Sequence, residues 1–317
     1  VKHRPPARDN GRVTSAVPDL AALRPRLPSP LQHIEDGRFA RRGVRLLLKR
    51  DDLIHPELPG NKWRKLELNL RAAAEAGEHT LLTFGGAYSN HLRATAAAGR
   101  LLGFATVGVI RGAELADRPL NPSLARCAAD GMRLHFVDRA AYRRKAEPET
   151  AAALRERFGP HYAVPEGGSN ALAVQGCTAL GRELHGASDV VAVACGTGGT
   201  LAGLAAGLAP DQRALGIPVL KGGTPHFLAA ETERLQYAAF GGRRGTWDLD
   251  DRFHCGGYAR RTPELDSFAA DFEARHGIPL ERLYVAKLLL GLTTLAEEGA
   301  FPPGTTVTAV VTGAPTP

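Results

Sequence analysis

The chain has 317 residues, 44% hydrophobic and 23% charged, ordinary for a globular protein and enough for one large domain or two modest ones. Its formal charge of +7 is scattered rather than massed, which argues against a nucleic-acid binder and for a surface that favours small anions. Cys127, Cys177, Cys195 and Cys255 stand far apart with no CxxC pair; this argues against a zinc site and against a disulfide framework, and fits a reducing, cytoplasmic setting, and no bound metal is expected.

Residues 1–25 are rich in Pro, Arg and Ala without periodicity, and read as an extended or disordered lead-in. They hold no apolar segment of the kind a secretory signal needs, and no run in the chain is long and apolar enough to span a membrane. From Val44, VRLLLKRDD reads as a strand. HPELPGN is a turn cluster, and KWRKLELNLRAAAEAG a helix, with Trp63, Leu66, Leu70 and Ala73 near helical spacing and Gly77 as the stop. Strands and helices then alternate: HTLLTFGG, SNHLRATAAAGRLLG, FATVGVIRG, SLARCAADG, RLHFVDR, a helix over 149–158, HYAV, NALAVQGCTALGRELHG, DVVAVAC and LAGLAAGLA. The strands are short apolar runs, as expected of parallel strands covered on both faces. The expectation is an α/β fold of two lobes: a small one over 65–162, and a large one from 26–64 and 163–317.

Three strands run into glycine turns that open helices. CGTGGT (Cys195–Thr200) offers backbone N–H groups and a helix N-terminus to a phosphate. It is not a P-loop, because G-x-x-x-x-G-K-S/T is absent, nor a dinucleotide fingerprint, because Leu201 stands where a third glycine belongs. The other reading is a tight turn without a ligand. FGGAYSNH (Phe84–His91) ends in Ser89 and Asn90, which suit either a helix cap or a carboxylate site. PEGGSN (Pro165–Asn170) is the third, and all three would line one crevice at the carboxyl ends of the strands. Lysine is sparse, yet Lys62 and Lys65 fall together just after Pro59-Gly60-Asn61. A desolvated lysine has a lowered pKa and attacks aldehydes; a solvated surface lysine is the plain alternative, more so for Lys65. Lysine, phosphate loop and carboxylate turn together are what pyridoxal phosphate chemistry requires.

GNKWRKLE, GGAYSNHLRATAAAGRLLG, VPEGGSNALAVQGC, ACGTGGTLAG and GGYAR together resemble the fold-type II pyridoxal phosphate enzymes. More narrowly, the chain is similar from about Pro28 to Gly313 to the family of 1-aminocyclopropane-1-carboxylate deaminase and D-cysteine desulfhydrase. The resemblance implies a two-domain, tryptophan synthase β-like fold, a homodimer, pyridoxal 5'-phosphate as cofactor and a small amino acid as substrate. It implies Lys62 as the Schiff-base lysine and proton carrier, with Ser89, Tyr258 and Tyr284 as further catalytic groups. Asn90, Thr197, Gly198, Gly199, Thr200 and Thr312 match cofactor-binding positions, Lys65 lends charge to the phosphate, and Ser89, Asn90 and His91 match the substrate-carboxylate turn. Deaminases of that family usually carry Gln, Glu and Leu where this chain has His91, Val285 and Thr312. His91 and Thr312 are closer to the desulfhydrase pattern, while Val285 in YVAK sets an expectation of an altered pocket wall. The activity implied is α,β-elimination of D-cysteine. Cyclopropane-amino-acid deamination, D-serine dehydration and a low-turnover, cofactor-bearing binding protein are the alternatives.

Overall fold

The computed structural model describes residues 20–58, 60–220, 225–257 and 260–313. In chain order these form β1 (Leu31–Ile34), α1 (Gly37–Ala40), β2 (Arg45–Lys49), α2 (Lys62–Glu75), β3 (Thr80–Gly85), α3 (Asn90–Leu102) and β4 (Ala105–Arg111). There follow α4 (Pro122–Ala129), β5 (Met132–Val137), α5 (Arg139–Arg143), α6 (Pro148–Phe158), β6 (Tyr162–Val164), α7 (Ala171–Arg182), β7 (Val190–Cys195) and α8 (Gly199–Gly207). The last are β8 (Arg213–Pro218), α9 (Pro225–Phe240), β9 (Thr246–Leu249), α10 (Pro263–His276), α11 (Val285–Glu297) and β10 (Thr306–Val310).

Two sheets organise these elements. One runs β1-β2-β10-β7-β8-β9 and the other β5-β4-β3-β6. Every pairing is parallel except β1 against β2. The apolar runs account for this: β7 and β10 are buried at every residue, so both faces need cover. Helix α11 gives that cover from within, buried at every position from Val285 to Thr293, as a helix apolar all round must be. Local signals set the helix ends. Ser89 Oγ accepts from Leu92 N at the start of α3, and Gly103 closes it in the left-handed region at φ 80. No helix among the described residues is long and apolar enough to cross a membrane.

A buried ionic cluster ties α2 to the larger sheet. Arg64 donates to both oxygens of Asp51 (2.8 and 2.9 Å) and of Glu183 (2.8 and 2.9 Å). Lys49 Nζ pairs with Glu183 at 2.7 Å, and Ser29 Oγ donates to Asp51 at 2.6 Å. Two cations face two carboxylates, so the cluster is neutral and its groups are bonded, the condition under which buried charge is tolerated. Since Arg64 sits between Lys62 and Lys65, the cluster anchors the helix turn that carries both lysines.

Candidate active site

The carboxyl ends of the strands meet at a cleft lined by residues of both sheets' connections: Asn61, Lys62, Lys65, the Ser89–His91 turn, the Cys195–Thr200 loop, Tyr284 and Thr312. None of the described lining residues is acidic. The turn before α2 is pinned to the end of β10. Asn61 N donates to the Thr312 carbonyl at 3.1 Å. Gly60 has φ 56, and a Cβ there would lie 1.8 Å from the same oxygen, so only glycine fits. Asn61 also reaches the glycine loop, donating from Nδ2 to Thr200 Oγ1 at 3.1 Å, while its Oδ1 accepts from Lys62 Nζ at 3.1 Å. Burial lowers the Lys62 pKa against the opposing pull of Cys177 and Glu281, which raises the fraction of free, nucleophilic amine.

The Cys195–Thr200 loop opens α8. Gly198 is its N-cap at φ 76, with no side-chain cap bond, so the N–H groups that open α8 suit an anion. A Cβ on Gly199 would come within 2.6 Å of Ser169 Oγ, so the cradle closes if that residue grows. Thr197 Oγ1 shares a 2.6 Å hydrogen bond with Ser169 Oγ, joining this loop to the Pro165–Asn170 turn. Lys65 completes the seam: its Nζ donates to the Gly167 carbonyl and, at 2.7 Å, to Ser169 Oγ. Lys65 is 2% exposed, which overturns its reading as a solvated lysine.

At the start of α3, Ser89 and Asn90 line the cleft half-buried. His91 lines it too, but its ring is buried and held from behind. Thr83 Oγ1 donates to the Val164 carbonyl at 2.8 Å, so it must accept from His91 Nε2 at 2.8 Å. That fixes the tautomer with the proton on Nε2. Burial, then Lys65 and Lys62, push the His91 pKa well below its usual value, so the ring stays neutral. The His91 ring is therefore a buried wall, and what this turn leaves for an anion is the first N–H groups of α3, ahead of the Leu92 N–H whose hydrogen bond Ser89 Oγ accepts.

Tyr284 lines the cleft beside the glycine loop, where a Cβ on Gly196 would lie 3.6 Å from its hydroxyl. Glu281 fixes its backbone, accepting from Leu283 N at 2.8 Å and Tyr284 N at 2.7 Å. Val285, expected to alter the pocket wall, is 1% exposed within the core and does not line the cleft. Lys287 Nζ, also buried, donates to the carbonyls of His254 (2.9 Å) and Gly257 (2.8 Å). Tyr258 lies outside the described residues. Lys62, Lys65, Ser89, Asn90, His91, Thr197, Gly198, Gly199, Thr200, Tyr284 and Thr312 thus share one cleft. Motif reading missed Asn61, Ser169 and Glu281. The first two stand in turns already conspicuous for glycine, whereas Glu281 has no local signal beyond preceding a helix. No cluster of metal-ligating side chains occurs among the described residues.

A family model described as pyridoxal-phosphate dependent enzyme matches residues 24–313. The chain is 29% identical over 281 residues to a bifunctional D-cysteine desulfhydrase/1-aminocyclopropane-1-carboxylate deaminase of Arabidopsis thaliana, covering 79% of this chain and 67% of that one. It is 30% identical over 269 residues to a putative 1-aminocyclopropane-1-carboxylate deaminase of Pyrococcus horikoshii, with 81% of each covered. The crystal structure of an ACC deaminase homologue superposes with a TM-score of 0.77 at 28% identity, covering 90% of this chain and 89% of that one.

Proposed function

Given that the chain belongs to the pyridoxal-phosphate dependent enzyme family, we propose that it is a lyase acting on a small amino acid, most like D-cysteine desulfhydrase. The observation that carries this is the single cleft uniting a deprotonation-prone Lys62, the uncapped α8 N-terminus and the Ser89–Asn90 start of α3. The residues fit the cofactor: a glycine cradle that a Cβ on Gly199 would fill stands beside an amine that can attack an aldehyde. Thr197, Thr200 and the first N–H groups of α8 would hold the phosphate, and Lys62 would bond the aldehyde carbon. When bound, pyridoxal phosphate supplies an electron sink for the substrate α-carbon.

The chain's own groups do the rest. The start of α3 binds and orients the substrate carboxylate through backbone N–H groups, with Ser89 beside it. Lys62 Nζ, held by Asn61 Oδ1, moves the α-proton, and the Tyr284 hydroxyl exchanges protons with the leaving group or substrate amine. Thr312 lines the cleft, where no acidic side chain lies among the described lining residues, and its hydroxyl would be the neutral partner. A neutral partner for the cofactor ring makes a weaker sink, which suits loss of a thiol more than opening of a cyclopropane. The net reaction converts D-cysteine and water to pyruvate, ammonia and sulfide. Pyruvate release from D-cysteine, L-cysteine, 1-aminocyclopropane-1-carboxylate and D-serine tests the reading. D-cysteine should give the highest kcat/KM, with sulfide in equal amount. Faster release from the cyclopropane substrate would decide for the deaminase named among the relatives, and no pyruvate from any would sink the lyase reading.

A further inference from the structure

Lys65 is a buried amine without a counter-charge among the described residues. The inference drawn from it rests on the reading that the cleft holds a phosphate ester. Its Nζ lies under the glycine cradle, 3.3 Å from where a Cβ on Gly199 would stand. Its bonded partners, the Gly167 carbonyl and Ser169 Oγ, are neutral. The titratable groups around it, among the described residues, supply no negative charge either. Lys62 on the same helix repels it. Cys177 from α7 and Cys195 from β7 are thiols that burial pushes up, Cys195 to about 12. His91 from α3 is held neutral.

An ammonium ion so placed is costly, and the inexpensive state is the free amine, whose two N–H groups match the two acceptors. Burial first, and Lys62 second, accordingly bring the Lys65 pKa down to about 7. The missing counter-ion is what an anion at the α8 N-terminus would supply. We propose that Lys65 takes up a proton from solvent as a phosphate dianion enters the cradle, so that the cleft binds the anion and a proton together and Lys65 becomes its counter-ion.

Inorganic sulfate is the probe, because it remains a dianion throughout the range used and any proton must come to the protein. Calorimetric titration in two buffers of different ionisation enthalpy counts the protons. Wild-type protein should take up close to one proton per sulfate at pH 8 and little at pH 6, with Kd rising about tenfold per pH unit above pH 7. Lys65→Arg, permanently charged, should bind without proton uptake and without that slope. Lys65→Met should bind more weakly, also without the slope, and Lys62→Ala should keep the slope but begin it at higher pH, because the repulsion that lowers the Lys65 pKa is gone. Binding by wild type without uptake, or uptake that survives in Lys65→Arg or Lys65→Met, overturns the coupling while leaving the cradle intact. Loss of both uptake and slope at every pH in Lys62→Ala reassigns the proton to Lys62 and overturns the proposal. Absence of sulfate binding at any pH removes the phosphate cradle and the proposal with it.

Discussion

Replacing Arg64 with Met should destabilise the protein by about 3–5 kcal/mol, the usual cost of leaving buried carboxylates without their cation. The reasoning is specific to the cluster. The Arg64 and Asp51 side chains are 1% and 0% exposed, and four of the guanidinium's hydrogen bonds go to carboxylate oxygens. Removing the guanidinium leaves two carboxylates facing Lys49 alone. Burial pushes the Glu183 carboxyl up, but Arg64 and Lys49 outweigh it and hold its pKa below the ordinary value. A depressed folded-state pKa adds stability above the unfolded carboxyl range, lost as pH falls through the folded value. The variant should therefore lose most at neutral pH, and its deficit should shrink in acid. Urea unfolding at pH 7 and pH 4, followed by tryptophan fluorescence and far-ultraviolet circular dichroism, reads both effects. Arg64→Lys should recover only part of the loss, since an ammonium cannot grip two carboxylates with a planar fork. A loss below about 1 kcal/mol at pH 7, or a deficit independent of pH, would refute the account of the cluster as a paired buried charge.

Three further substitutions probe the cleft. Thr83→Val removes the acceptor for His91 Nε2 and the donor to Val164; unfolding should show a loss of about 1–3 kcal/mol that Thr83→Ser largely restores. Gly60→Ala must move the turn, because its Cβ would meet the Thr312 carbonyl at 1.8 Å. The penalty should exceed the roughly 1–2 kcal/mol of a left-handed residue alone, with weaker cofactor binding by equilibrium dialysis. Gly199→Ala pushes a methyl group toward Ser169 Oγ and Lys65 Nζ; cofactor Kd should rise at least about tenfold, in line with an overpacking cost of about 1–3 kcal/mol.

Much of this architecture is legible in the amino-acid order because its signals are local. Apolar runs such as Val190–Cys195 mark strands buried on both faces, and Ser89 and Gly103 mark the ends of α3. The three glycine turns identify themselves by composition, and their convergence follows from parallel strands sharing one carboxyl edge. What stays hidden depends on contacts between distant residues. Lys65 looks like a surface lysine on a polar helix face, and only the approach of Gly167, Ser169 and Gly199 shows it buried. Arg64 shares its cluster with Glu183, 119 residues away. Val285, conspicuous as a departure at a motif position, points into the core while Tyr284 beside it meets the cleft.

The central claim is that Lys62 is the amine that bonds the cofactor. Loading the protein with pyridoxal phosphate, reducing with borohydride and mapping the modified peptide by mass spectrometry addresses it without requiring a substrate. The reduced pyridoxyl group should sit on Lys62 alone, and Lys62→Ala should abolish both the adduct and the visible absorption of the loaded protein. An adduct on Lys65 or any other lysine, or a Lys62→Ala protein that keeps the visible band, would contradict the account.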